Sequence, residues 1–318
     1  MPTVRIFLNK FEHKNPKNQQ GSTPLHFAAF GGHLEVCKLI LENVLEKNPK
    51  NNNGDTPLHC AAEKGHLDIC KNITKYIKPE GKNPSNNNGS TPLHYAAHNG
   101  NLELCKFIVE KKGNRCSKKG FAPLDLAARM GHLEIYKFFS QGIDNINQGC
   151  DFNSTPLHTA ASFGQYEMCQ YIISNVKETN PKTKNGRTPL HLATMFGHLN
   201  ICNLIIENTS DKNPAILKPG DPDEGKTPLH MAANFGRLDI CRLLLTNATD
   251  KNPSDARGCT PLHYAAQHGH VTICKIIMEN IVEKNPGTKG SEPLTPLSVA
   301  TFHGHLEVCR LFHAEGIH

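Results

Sequence analysis

Thr56-Pro57-Leu58-His59-Cys60-Ala61-Ala62, followed by Gly65-His66-Leu67-Asp68-Ile69-Cys70, is the stretch on which the fold is read. Its first half, Thr-Pro-Leu-His-x-Ala, also starts at Thr23, Thr91, Thr155, Thr188, Thr227 and Thr260. Degenerate copies start at Ala122 (Ala-Pro-Leu-Asp-Leu-Ala-Ala) and Thr295 (Thr-Pro-Leu-Ser-Val-Ala). The steps between starts are 33, 35, 31, 33, 33, 39, 33 and 35 residues. A period that steady, sustained over 318 residues, overrides the two-domain division that length alone suggests and points to a stacked repeat array.

Each unit has a local physical reading. Asn51-Asn52-Asn53-Gly54-Asp55 is a polar turn. Thr56 suits a helix N-cap, and Pro57 takes the first helical position, where a missing N–H costs nothing. Leu58, Ala61 and Ala62 make a short helix with a small-residue packing side, ended by Gly65. A second helix opens at His66. Its apolar stripe is clearest in the first repeat, at Leu34, Cys37, Ile40 and Leu41. That helix is expected to run to Lys47-Asn48-Pro49, where proline turns the chain out of the helical region. One helix pair of about 33 residues cannot bury its stripe alone and needs neighbours on both sides.

The Thr-Pro-Leu-His-x-Ala-Ala and Gly-His-Leu-Glu motifs, with the turn pattern, resemble the ankyrin repeat in nine units over residues 18–318. The resemblance implies an all-α solenoid of helix-turn-helix units with projecting turn loops. About eighteen helices in nine antiparallel pairs are expected, with repeats at about 18–50, 51–85, 86–116, 117–149, 150–182, 183–221, 222–254, 255–289 and 290–318. Residues 1–17 read as a partial repeat or N-terminal cap, because Val4–Leu8 aligns with Cys37–Leu41 when the two Lys-Asn-Pro turns are superposed. The chain thus opens inside a second helix, as a cap or as part of a longer array.

Composition narrows the function classes. A net charge of +6 falls short of the basic patch of a nucleic-acid binder, so no nucleic acid is expected as a partner. Apolar runs are about four residues long, which argues against membrane insertion. The N-terminal residues lack the apolar core of a secretory signal. Eight of the twelve cysteines (Cys37, Cys70, Cys105, Cys169, Cys202, Cys241, Cys274 and Cys309) fall in one second-helix slot. Stacked repeats place such positions roughly 8–10 Å apart, beyond the Cα limit of ~7 Å for a disulfide. Buried free thiols and a reducing compartment, the cytoplasm or nucleus, follow. Cys60, Cys116, Cys150 and Cys259 lie off the column and are expected to be more exposed.

Of nineteen histidines, thirteen fall in two repeat slots: seven in Thr-Pro-Leu-His and six after the glycine. They read as structural, not as metal ligands, and no Cys-x-x-Cys or His-Glu-x-x-His pair supports zinc. The resemblance implies that the first histidine bonds the threonine hydroxyl and the backbone of the neighbouring turn. No phosphate loop, nucleophile elbow or carboxylate pair stands outside the repeat slots, so neither enzyme activity nor a cofactor is expected.

Departures from the consensus mark candidate sites. The fourth repeat has Ala122 for threonine, Asp125 for histidine and Tyr136 for cysteine. The turn entering it carries Lys111, Lys112, Arg115, Lys118 and Lys119; Lys112, Arg115, Lys118 and Lys119 form a candidate basic contact. The junction from Pro214 to Gly225 has six extra residues and reads as an acidic, solvated finger.

The resemblance also implies use as a protein-interaction scaffold or adaptor, binding other proteins on the concave face. The alternative is the ankyrin region of a larger regulatory protein, channel or enzyme. The variable groove positions lie between Ala-Ala and Gly. Phe163, Phe196 and Phe235 fill one slot in three consecutive repeats, with only fourteen Phe and no Trp in the chain. Met195, Phe302, His268, His303, Arg129 and Met130 complete the candidate partner-binding set. The family resemblance raises hydroxylation of turn asparagines (Asn48, Asn213, Asn252 and Asn285), but each is preceded by lysine and followed by proline, unlike the family's motif, and the alternative is that these asparagines only make the turn.

Overall fold

The computed structural model describes residues 15–78, 83–109, 123–142, 145–147 and 153–317. Its eighteen helices form nine pairs, with no strand among the described residues. The chain divides into two compact units, residues 1–144 and 145–318. The first contains α1 (Pro24–Phe30), α2 (Leu34–Asn43), α3 (Pro57–Glu63), α4 (Leu67–Lys75), α5 (Pro92–His98), α6 (Leu102–Val109), α7 (Pro123–Met130) and α8 (Leu133–Ser140). The second contains α9 (Pro156–Ser162), α10 (Tyr166–Ser174), α11 (Pro189–Phe196), α12 (Leu199–Glu207), α13 (Pro228–Asn234), α14 (Leu238–Asn247), α15 (Pro261–Gln267), α16 (Val271–Met278), α17 (Pro296–Phe302) and α18 (Leu306–Ala314). Within each unit a first helix packs on its own second helix and on the first helix of the next repeat.

The consensus dictates this packing. The Leu of each Thr-Pro-Leu and the paired alanines are buried, for example Leu58, Ala61 and Ala62 in α3 and Leu157, Ala160 and Ala161 in α9. Alanine lets neighbouring first helices approach closely, while each buried leucine contributes roughly 1.5–3 kcal/mol. Between the layers lie Cys37, Cys70, Cys105, Cys169, Cys202, Cys241 and Cys274, all fully buried, with Ile40, Ile73, Ile172, Ile205, Leu244 and Ile277 one turn on. Burial pushes the Cys70, Cys169 and Cys241 thiols up to about 12. Cys309 departs from its column: in the last helix pair it is half-buried. Cys60 and Cys259 are half-buried rather than open, and Cys116 and Cys150 lie outside the described residues.

The second helix of the first repeat ends at Asn43, four residues before the expected Lys47. The asparagine amide is the reason. Asn43 Nδ2 donates to the Leu39 carbonyl at 2.8 Å, satisfying a last-turn acceptor. Asn175, Asn208, Asn247 and Asn280 do the same in later repeats. The asparagine of Asn-Pro then acts on the next helix. Asn48 Oδ1 accepts the backbone N–H of Leu58 at 3.1 Å, and Asn83, Asn180, Asn213 and Asn285 repeat this contact, as does Asn147, which precedes glutamine instead of proline. Asn252 is the exception: its buried Oδ1 has no hydrogen-bond partner among the described residues.

Candidate functional site

The first helices are held in register by one repeated device. At each intact copy the threonine backbone N–H donates to histidine Nδ1, at 3.0–3.2 Å. The threonine hydroxyl oxygen lies 2.8–3.0 Å from the same nitrogen. A backbone N–H can only donate, so Nδ1 carries no proton and Nε2 does. Nε2–H then donates into the next repeat's turn: His26 to the Asp55 carbonyl, His59 to Ser90, His158 to Arg187, His191 to Lys226, His230 to Cys259 and His263 to Leu294. Both nitrogens are committed in the neutral ring. Protonation would set a donor against the threonine N–H inside a buried site. Burial accordingly holds His158 and His230 down to about 4 and His191 to about 3. The ninth repeat shows that the box does not require imidazole: Ser298 Oγ accepts the Thr295 N–H at 2.8 Å and Ser298 N–H donates to Thr295 Oγ1 at 3.2 Å.

The histidine after the glycine does a different job. His66 Nε2–H donates to the Phe30 carbonyl, His132 to His98, His198 to Ser162 and His305 to Gln267. Its ring lies on the glycine of the preceding repeat. A Cβ on Gly164, which sits at φ +74°, would come within 2.7 Å of the His198 ring. Glycine therefore serves both the left-handed backbone and the close approach of the imidazole. In the seventh repeat Arg237 replaces this histidine, and its guanidinium donates to the Met195 carbonyl.

These contacts fix the ends of the first helices, where the expected partner-binding residues lie. Phe163, Phe196 and Phe235 occupy the same slot in α9, α11 and α13, at the helix end or the residue capping it. These residues are 48%, 52% and 42% exposed. Met195 beside Phe196 is half-buried. In the eighth and ninth repeats the slot is taken by His268 and His303, both exposed. His268 stacks on His270 with ring centroids 6.0 Å apart and bonds Asn234 Oδ1 at 3.1 Å. Phe302, 86% exposed, meets His303 edge-on. Arg129 is half-buried and Met130 exposed at the end of α7, in the other unit. Asp125 is buried in the histidine slot of that helix. Lys112, Arg115, Lys118 and Lys119, with Ala122, lie outside the described residues.

A family model for ankyrin repeats matches residues 1–80, 71–150, 142–216 and 214–289. The chain belongs to the ankyrin repeat family. No curated protein matches it. Ankyrin units explain both histidine slots, and among the described residues no group of three or more His, Cys, Asp or Glu side chains could hold a metal ion. No described helix is long and apolar enough to cross a membrane.

The extra residues at the sixth-to-seventh junction are not a free acidic finger. Ile216 is fully buried, and its backbone pairs with Lys226 and Gly225. Asp223 forms ion pairs with Arg187 and Lys226, and Asp221 lies 3.7 Å from the same arginine. Although burial opposes it, hydrogen bonding and attraction to those two cations hold the Asp223 carboxyl below its ordinary value. The insertion neutralises its acid locally and anchors itself to the ankyrin stack. Sequence reasoning missed the buried isoleucine, whose signal was the aliphatic pair Ile216-Leu217 within the insertion.

Proposed function

We propose that this ankyrin array is a protein-interaction scaffold, and that the aromatic column Phe163, Phe196 and Phe235, with Met195 beside it, is its main contact. One observation carries the reading: three large rings stand in register in three successive repeats, each close to half exposed on helices whose register is locked. A helix pair needs no aromatic there for its own core, since other repeats use Lys64, Asn99 and Met130 in the slot. A ring about half exposed has the rest of its transfer free energy to gain, on the order of 1 kcal/mol per ring from a full value of roughly 1.5–3 kcal/mol. Aromatic anchors on rigid supports are also where partner binding concentrates. The exposed His268, Phe302 and His303 extend the surface toward the last repeats, with Arg129 and Met130 as a separate contribution from the other unit.

The test is a triple variant, Phe163→Ala, Phe196→Ala and Phe235→Ala, compared with the wild type for binding to a partner captured by quantitative affinity purification. Loss of at least tenfold in affinity at unchanged helicity is expected. Undiminished binding by a folded triple variant refutes the assignment.

A further inference from the structure

The second-helix layer of repeats five to seven carries a groove that the aromatic column does not account for. Tyr166 on α10, Leu199, Asn200, Asn203 and Glu207 on α12, and Asp239 on α14 border an open depression of about 480 Å³, floored by Leu204 and Leu243. A smaller one of about 270 Å³ continues from it along Tyr166, Leu199 and Asn200 to Gly164 and Gly197. Tyr166 and Leu199 remain 37% and 38% exposed at its mouth.

A second observation, independent of the shape, comes from the repeat consensus. In four other repeats the exposed face of the second helix carries an ion pair three residues apart: Glu35–Lys38, Glu103–Lys106, Glu134–Lys137 and Glu307–Arg310. At the groove that rail is gone. α12 has Asn200 and Asn203 in the two positions, and α10 has Glu167 and Gln170. A charged pair keeps a strong hydration shell over the helix face, whereas amides release water more cheaply and offer both donors and acceptors. Two carboxylates at the groove also stand without an ion pair among the described residues. Asp239 forms no ion pair or hydrogen bond among the described residues, and Arg242 three residues later does not reach it. Glu207 Oε1 accepts from Asn203 Nδ2 at 2.6 Å, which fixes its carboxylate at the rim. The groove is therefore apolar at its floor and mouth and amide-lined between, with the carboxylates Glu207 and Asp239 at opposite ends of its rim and no basic residue lining it.

We infer that this second-helix groove is a separate docking site for a peptide segment of a partner protein that carries a Lys or Arg beside aliphatic or aromatic residues. The basic side chain pairs with Asp239, and the apolar residues cover Tyr166, Leu199 and Leu243. The site goes beyond the aromatic column and does not depend on it.

The test uses a phage-displayed library of random twelve-residue peptides selected on the full chain, with enriched peptides resynthesised and titrated by fluorescence anisotropy. Three variants separate the outcomes. Asn200→Glu with Asn203→Lys restores the ion pair found in four other repeats, so it preserves a helix this fold already uses. Asp239→Asn removes the free carboxylate. Phe196→Ala perturbs only the column. Enriched peptides combining a basic and an apolar residue are expected. Their affinity falls at least tenfold in the double variant and at least threefold in Asp239→Asn, and stays within twofold in Phe196→Ala. No enrichment, enrichment of peptides without a basic residue, or binding indifferent to the double variant overturns the proposal. Peptides lost only in Phe196→Ala would support the column and refute the groove.

Discussion

Acidification from about pH 7.5 to about pH 5.5 should loosen this array through its buried box histidines. His158, His191 and His230 are held neutral in the folded chain, down to about 4, about 3 and about 4. The unfolded chain titrates near the ordinary histidine value of ~6.5. Because the folded values are depressed, the unfolded state binds more protons below ~6.5. The stabilisation is thus complete above that pH and lost as pH falls toward about 4. At about pH 5.5 an unfolded histidine is roughly nine-tenths protonated while its folded counterpart is almost wholly neutral, which costs about 1.4 kcal/mol per residue. Three such residues in the unit of residues 145–318 sum to on the order of 4 kcal/mol, a large share of the ~5–15 kcal/mol stability of an ordinary domain. His59 adds to the effect in the other unit, where burial lowers it to about 4. The lowered carboxylate Asp223 acts only below its ordinary value of 3.8, so the interval from about 6.5 to 4.5 belongs to histidine. Urea unfolding followed by circular dichroism at several pH values measures the slope. His158→Ser, copying Ser298 of the ninth repeat, should be weaker at pH 7.5, having lost its bond to the Arg187 carbonyl, yet lose about 1.4 kcal/mol less on acidification. A wild-type stability unchanged across this interval, or a serine variant with the same slope as wild type, would refute the reasoning.

Other expectations follow from the same geometry. Thiol labelling of the native chain should spare Cys37, Cys70, Cys105, Cys169, Cys202, Cys241 and Cys274 and reach half-buried Cys309 before any of these seven; rapid labelling of the buried seven without denaturant contradicts the packing. Asn48→Ala should cost about 1 kcal/mol in chemical unfolding by removing the acceptor for the Leu58 N–H, whereas Asn252→Ala should cost measurably less, its Oδ1 being unpartnered among the described residues. Equal losses at the two positions would show that the turn asparagines do not act as helix caps. Hydrogen exchange should be faster over 123–140, where Asp125 replaces the box histidine, than over 189–207, where the box is intact; equal protection would make the fourth repeat an ordinary one.

The fold was legible because the motif states its own mechanics. Threonine, proline and glycine each name a backbone position, and thirteen slotted histidines are too regular for a metal site. What sequence reading did not give is the division of labour between the two asparagines of Asn43 and Asn48. One closes a helix and the other caps the next, and reading only the proline put the helix end four residues late. The Pro214–Gly225 insertion was misread because its acids were counted without Arg187, thirty-six residues before Asp223 and brought to it only by stacking. The aromatic column was visible as a spacing, but its degree of exposure depends on neighbouring repeats. The second-helix groove had a sequence signal, the missing Glu–Lys pair at Asn200 and Asn203, which acquires meaning only once those side chains are seen to border a depression.

The central claim, that a partner docks on the aromatic column, is tested most directly by hydrogen exchange of the full chain with and without its captured partner. Slower exchange confined to the first-helix ends around 162–164, 195–197 and 234–236 is the predicted footprint, with α16 and α18 unchanged. A footprint that leaves those three segments exchanging as in the free chain would contradict it.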